Sequence, residues 1–143
     1  MKHDDGSVTA LRGVSLFAGL DDKALRRISE QAKPYSFQAG TSVIDADSSG
    51  RFGRLYTVVS GTAEARINDE PVATFGPGSY FGEMSVLDGR PRSATIVATS
   101  ALETYGLSTW NMRALLREEP EIAIHIIETL VARLRDQTQK VDD

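Results

Sequence analysis

The apolar positions of this chain change period twice. Over residues 14–33, "VSLFAGLDDKALRRISEQAK", Leu16, Leu20, Leu25 and Ile28 line one edge of a helix, with Asp21 or Asp22 as the N-cap before "KALRRIS". From Tyr35 to Leu107 the pattern shortens into β-like runs: "YSF", "SVI", "RLYTVV", "AEARI", "VATF", "SATIVA" and "LETYGL". The turn-forming stretches "QAG", "DSSG", "SG", "NDEP" and "GPG" separate them. Seven or eight short strands at near-regular spacing predict a β-sandwich or jelly roll. No stretch between them is long enough for a crossover helix, which excludes a parallel α/β sheet.

Helical spacing returns after the strands. Ser108 is placed to cap "TWNMRALLREE", and Pro120 to open "PEIAIHIIETLVARLRDQTQ" at its first position. At about 100° per residue, Ile122, Ala123, Ile124, Ile126, Ile127, Leu130, Val131 and Leu134 cover half the circumference of that helix. A helix resting on one surface needs less. It is therefore either packed deeply, or has one edge on the β-roll and the other on a ligand or partner chain. The expected fold class is mainly β with flanking helices: an antiparallel β-roll or jelly roll with an N-terminal helix and C-terminal helices. Residues 1–13 are expected to be a flexible N-terminus and residues 14–143 one domain. Within it the roll covers about 35–107 and the C-terminal helices about 108–139.

At 143 residues the chain has material for one core. Its net charge of −4 disfavours a broad nucleic-acid footprint, so no nucleic-acid partner is expected. The absence of cysteine excludes disulfides, thiolate zinc sites and thiol nucleophiles. The first residues, "MKHDDGSVTA", are polar and acidic, and no apolar run approaches a membrane span; a cytoplasmic location away from membranes is expected. His3 lies in the tail and His125 on the polar side of the last helix, both read as surface residues. Neither has a metal-ligand partner at useful spacing, so no metal is expected.

The chemistry concentrates in "FGEMSVLDGRPRSAT", residues 81–95. Glu83 and Arg92 are too far apart for one helical face, and Gly82, Gly89 and Pro91 argue against a long regular element. A helical turn at "EMSV", entered through Gly82, would aim its first N–H groups into the loop. Arg92 adds a bidentate partner for two phosphate oxygens, and Ser93 a hydroxyl beside it. Glu83 repels phosphate but accepts well from hydroxyl groups. The set suits a compact, singly charged phosphate with a sugar hydroxyl close by. Taken alone, Glu83 and Arg92 would more often be a structural ion pair. Ser85 and Ser93 lack an activating histidine and Glu83 lacks a second carboxylate, so no catalytic residue and no cofactor is expected.

The stretch "FGEMSVLDGRPRSATIVA" resembles the phosphate-binding cassette of cyclic-nucleotide-binding domains. That module is shared by catabolite activator proteins, regulatory subunits of protein kinase A and cyclic-nucleotide-gated channels. The resemblance extends to "LFAGLDDKALRRIS", to "LYTVVSGTAEA" with its turn glycine Gly61, to "FGPGSYFGE" and to "EEPEIAIHIIETLVARL", from about Leu16 to Arg135. It implies that Arg92 pairs with the exocyclic oxygens of a cyclic phosphate and that Glu83 takes the ribose 2′-OH. Gly82 would let the backbone approach the sugar. The N–H groups of Ser85 and Ser93, with the Ser93 hydroxyl, would complete the cradle, and Met84 and Ala94 belong to the same ligand-binding stretch.

The closing helix is implied to be a lid over the base, carrying Arg133, Leu134 and Gln137 and hinged near Glu118 to Pro120. Ser85 stands where family members often carry alanine, and "DADSSGRFG" where many carry a Glu-Gly pair. Ser93, after the cassette arginine, falls between the threonine of cGMP-preferring kinase domains and the alanine of adenine-preferring ones. The expected ligand is cAMP, with cGMP the alternative. The resemblance implies a sensor that binds a small-molecule cyclic nucleotide. A ligand-silent dimerisation module of the same fold is the competing reading. In either case the C-terminal helix would meet a second copy or an effector domain. Tyr80 or Tyr105 is a candidate near the pocket, whereas Trp110 reads as core or rim.

Overall fold

A computed structural model of the chain describes residues 6–45, 53–83, 87 and 94–142. Eight strands form among them: β1 (Lys33–Phe37), β2 (Ser42–Ile44), β3 (Arg54–Ser60), β4 (Ala63–Ile67), β5 (Glu70–Phe75), β6 (Tyr80–Phe81), β7 (Thr95–Ala98) and β8 (Leu102–Ser108). They make two four-stranded sheets, ordered β1-β8-β3-β6 and β2-β7-β4-β5. Every pairing is antiparallel. The β4–β5 hairpin closes through Asn68 and Asp69, both with positive φ (54° and 64°), residue types that tolerate the left-handed turn a tight hairpin needs. The expected antiparallel roll is what forms. The seven runs read from the pattern correspond to seven of the strands. β6, with only two residues, is too short to show a period.

Alternation along the strands divides the apolar residues between two cores. Inside the roll, Tyr56, Val58, Phe81 and Leu102 of the first sheet meet Ile44, Ala63, Ala65, Ile96 and Ala98 of the second. Tyr56 is central, edge-on to Tyr35 and Phe37 at 5.9 and 5.7 Å and tilted on Phe81 at 5.4 Å. The other face of the first sheet is not left to water. Leu55, Tyr80 and Leu107 pack there against helices. Strand β3 is consequently buried on both faces, and its Thr57 stays satisfied by donating to the Tyr105 carbonyl at 3.1 Å. β5, at the edge of the second sheet, is exposed nearly throughout, and Pro71 removes one donor from it.

The helical layer comprises α1 (Ser7–Arg12), a 3₁₀ turn (Ser15–Phe17), α2 (Asp22–Gln31), α3 (Thr109–Glu118) and α4 (Pro120–Asp142). Asp21 caps α2 by accepting from the Ala24 N–H at 2.9 Å, and Ser108 caps α3 by accepting from that of Asn111 at 3.1 Å. Pro120 opens α4 as its type favours. Two local features differ from the sequence reading. The helix over 14–33 is split, because Ala18 and Asp21 have extended backbone and Gly19 a positive φ of 91° between them. Within the segment expected to be flexible, Ser7–Arg12 is helical, since Leu11 gains a fully buried place beside Val14, Leu16 and Phe17.

Gly61 illustrates how tightly the roll constrains its turns. It joins β3 to β4 at φ +86°, and a Cβ there would run into the Ala101 carbonyl. Gly61→Ala combines a left-handed strain with a backbone clash and is expected to cost more than about 2 kcal/mol. Thermal melting checks this: a fall of several degrees is expected, and an unchanged midpoint would contradict the turn geometry.

Candidate functional site

The site forms where β6 ends. Phe81 points into the roll core, Tyr80 into the helical core, and Gly82 then turns the chain at φ +88°. A left-handed residue at this point costs glycine little and any side chain more. Glu83 follows with helical backbone and only 8 % exposure. Burying a carboxylate so far from water is unfavourable unless it is paired and hydrogen-bonded.

Its partner comes from α4, fifty positions on: Arg133 Nη1 donates to Glu83 Oε2 at 3.1 Å. The same nitrogen donates to the Tyr80 hydroxyl at 2.8 Å, and the guanidinium carbon stands 5.3 Å from the centre of that ring. Burial opposes the charge on Arg133, but the Tyr80 hydroxyl and the Glu83 carboxylate outweigh it and hold its pKa above the usual value. Three elements thus meet at one cation: β6, the turn after it and the C-terminal helix. Beside them lies a groove of about 260 Å³, lined by Ser15, Thr74, Phe75, Ser79, Tyr80 and Arg133. Arg113 of α3 donates to the Leu87 carbonyl at 3.0 Å, which ties that helix to the same loop.

The residues singled out from sequence fall into four groups. Gly82, Glu83 and Arg133 are together, joined by Tyr80. Ala94 packs, half-buried, against the core inside the roll. Leu134 and Gln137 lie on exposed turns of α4, Leu134 at 62 %. Met84, Ser85, Arg92 and Ser93 lie outside the described residues. Two other readings change. His125 is not a plain surface residue: it is partly buried, and its Nε2 is shut off from solvent without a hydrogen-bond partner, because α4 turns it toward Gly19. Trp110 is not in the core but 72 % exposed on α3. Arg113 was not anticipated, since its acceptor is a backbone carbonyl that leaves no mark in the sequence.

Among the described residues there is no group of three or more metal-ligating side chains, and no helix is long and apolar enough to cross a membrane.

Comparison with known proteins gives a consistent result. Residues 34–119 match the family model described as cyclic nucleotide-binding domain. The chain is 34% identical over 148 residues to the cyclic AMP receptor protein of Thermus thermophilus, covering 92% of this chain and 62% of that one. It is 26% identical over 138 residues to a CRP-like cAMP-activated global transcriptional regulator of Mycobacterium tuberculosis, covering 93% and 61%. Its fold superposes on the crystal structure of the Thermus thermophilus catabolite activator protein with a TM-score of 0.77 and 29% identity, covering 90% and 62%. The chain thus spans about three-fifths of the length of these regulators.

The Glu83–Arg133 pair makes a measurable claim about stability. Arg133 is roughly half exposed, so solvent screens the pair and its coupling is expected to be about 1 kcal/mol. A double-mutant cycle of Glu83→Gln and Arg133→Ala, followed by denaturant unfolding, reads this directly. Strictly additive losses would show that the two side chains do not interact.

Proposed function

The chain belongs to the cyclic nucleotide-binding domain family, and we propose that it is a non-catalytic sensor that takes cAMP between the cassette loop and α4. The observation that carries the reading is the buried carboxylate of Glu83, held in one orientation by a cation on the lid helix. An oriented, dry acceptor suits a sugar hydroxyl, which brings a donor without bringing charge. Arg92 takes the phosphate in this reading, and the N–H groups of Ser85 and Ser93 finish its cradle. Met84 and Ala94 shape the same stretch, and Leu134 and Gln137 extend the lid beyond Arg133. Two relatives whose names describe cAMP-dependent regulators support cAMP over cGMP. Binding without chemistry accords with the sequence of the loop, in which Ser85 and Ser93 lack an activating histidine and Glu83 lacks a second carboxylate at a motif-like spacing.

A ligand shifts the lid only by its differential affinity for the closed form. Ile122 and Ile126 on α4 are 2 % exposed and pack in one cluster with Leu16 and Phe17 of the 3₁₀ turn. A swing about Glu118–Pro120 that left that turn behind would uncover both isoleucines, at about 1.5–3 kcal/mol each. The turn and the first half of α4 therefore move together, and Arg133 reports that motion at Glu83.

Calorimetric titration with cAMP and cGMP tests the assignment. Arg92→Ala is expected to cost about 2–4 kcal/mol of binding, because it leaves a phosphate charge unpaired. Glu83→Gln is expected to cost less. Bound cAMP at a hundredfold over its Kd should add about 2.7 kcal/mol of stability. Unchanged affinity in the arginine variant would overturn the reading, and tighter binding of cGMP would overturn the choice of base.

One observation favours a second reading, a dimerisation module. Ile124, Ile127, Val131 and Leu134 of α4 are 44–62 % exposed. Their spacing of three, four and three residues is that of a coiled-coil seam. Sedimentation with and without cAMP separates the two: a dimer whose formation ignores the ligand, in a protein that shows no calorimetric binding, would replace the sensor with the module.

A further inference from the structure

The groove beside Arg133 is walled by groups that donate hydrogen bonds and find few acceptors. Ser15 comes from the 3₁₀ turn, Thr74 and Phe75 from β5, Ser79 and Tyr80 from the entry to β6, and Arg133 from α4. Main-chain bonds fix these walls. The Ser15 N–H donates to the Gly78 carbonyl at 3.0 Å, and the Gly78 N–H to the Val58 carbonyl at 2.9 Å. Gly78 has φ +87°, and a Cβ there would stand 2.9 Å from the Gly13 carbonyl, so the two segments abut.

A hydroxyl donates one proton and accepts at its lone pairs. The Tyr80 oxygen accepts from Arg133 Nη1 at 2.8 Å, and Ser79 Oγ accepts from the Gly76 N–H at 3.3 Å; neither hydroxyl donates to a described residue. The hydroxyls of Ser15 and Thr74 bond to no described residue. Arg133 uses Nη1 alone, for Tyr80 and Glu83, which leaves the N–H groups of Nη2 and Nε without an acceptor among the described residues. None of the lining residues carries a carboxylate. From this set of donors we propose that the groove is a ligand site separate from the cassette, taking a small oxyanion, a carboxylate or a phosphate, at Arg133.

An oxyanion fits because it brings acceptors only, and two of its oxygens match one edge of a guanidinium. A cation, or a ligand rich in hydroxyls, would add donors to a wall already supplied with them. At about 260 Å³ the groove falls below the range of about 300–1,000 Å³ that encloses drug-sized ligands, so the occupant is small. Phe75 is half-buried and packed on Phe81 at 5.2 Å between ring centres, and gives the groove one apolar wall. A carboxylate on a short hydrocarbon body uses both kinds of surface. The site shares Arg133 with the proposed nucleotide site but not the same N–H groups, since the Glu83 bond is made by Nη1. A bound oxyanion would therefore tie the 3₁₀ turn, β5 and α4 together without displacing Arg133 from Glu83.

Two-dimensional ¹H–¹⁵N NMR of the nucleotide-free protein, titrated with benzoate and separately with inorganic phosphate, tests the site without any nucleotide. Saturable shifts centred on the amides of Ser15, Thr74, Ser79 and Tyr80 are expected, and the probe that produces them identifies the kind of oxyanion accepted. Absence of saturable shifts with both probes would overturn the proposal, because the hydroxyls would then serve only water. Ser15→Ala and Thr74→Val alter exposed positions and keep the main-chain bonds. Each is expected to weaken binding by about tenfold, the worth of a hydrogen bond to a charged group; unchanged affinity in both would overturn the site. Arg92→Ala separates the groove from the cassette. Retained shifts support the groove, whereas their loss would seat the anion on the cassette arginine, overturning the groove and supporting the proposed function.

Discussion

A carboxylate kept nearly dry must be compensated, and much of this molecule is arranged around how Glu83 meets that need. Its partner, Arg133, is fifty residues away on a different layer of the fold. The contact forms only if β6 sets Tyr80 and Glu83 in register and α4 lies over the outer face of the first sheet. Tyr80 supports both ends, with its ring in the helical core and its hydroxyl on the guanidinium. A modest, half-exposed ion pair thereby becomes a positional constraint that relates α4 to the loop.

The path between roll and helices is a single sheet used on both sides. Adjacent residues of β3, Leu55 and Tyr56, face opposite cores, and in β6 Tyr80 and Phe81 do the same. Close-packed interiors transmit displacement poorly as gradual deformation and better as discrete rearrangement. The turn at Gly82 follows the point where the two cores are one residue apart. On the helical side Leu16, Phe17, Ile122 and Ile126 share one cluster, which packs the 3₁₀ turn against α4.

Features with local causes were legible in the sequence. The caps at Asp21 and Ser108 and the opening of α4 at Pro120 follow from residue type and position alone. The strands of three or more residues follow from alternation. The features that escaped depend on tertiary burial. β6 is two residues long, and α1 forms because Leu11 is buried in the cluster that it shares with the 3₁₀ turn and α2. The wide apolar stripe of α4 left two readings open. It divides: Ile122 and Ile126 enter the core, whereas Ile124, Ile127, Val131 and Leu134 remain exposed. At the site, composition and spacing pointed to Glu83 as a hydroxyl acceptor. Arg133 was reachable only through the family resemblance, because nothing in local spacing joins positions 83 and 133. His125 appeared polar-facing because a helical wheel does not contain the Gly19 loop.

The most direct measurement compares cAMP with 2′-deoxy-cAMP by calorimetry, in the wild type and in Glu83→Gln. If Glu83 is the sugar acceptor, the wild type discriminates against the deoxy ligand by roughly tenfold, the worth of a hydrogen bond to a charged group, and the variant loses most of that discrimination. Equal affinity of the wild type for the two ligands would contradict the role assigned to the buried carboxylate.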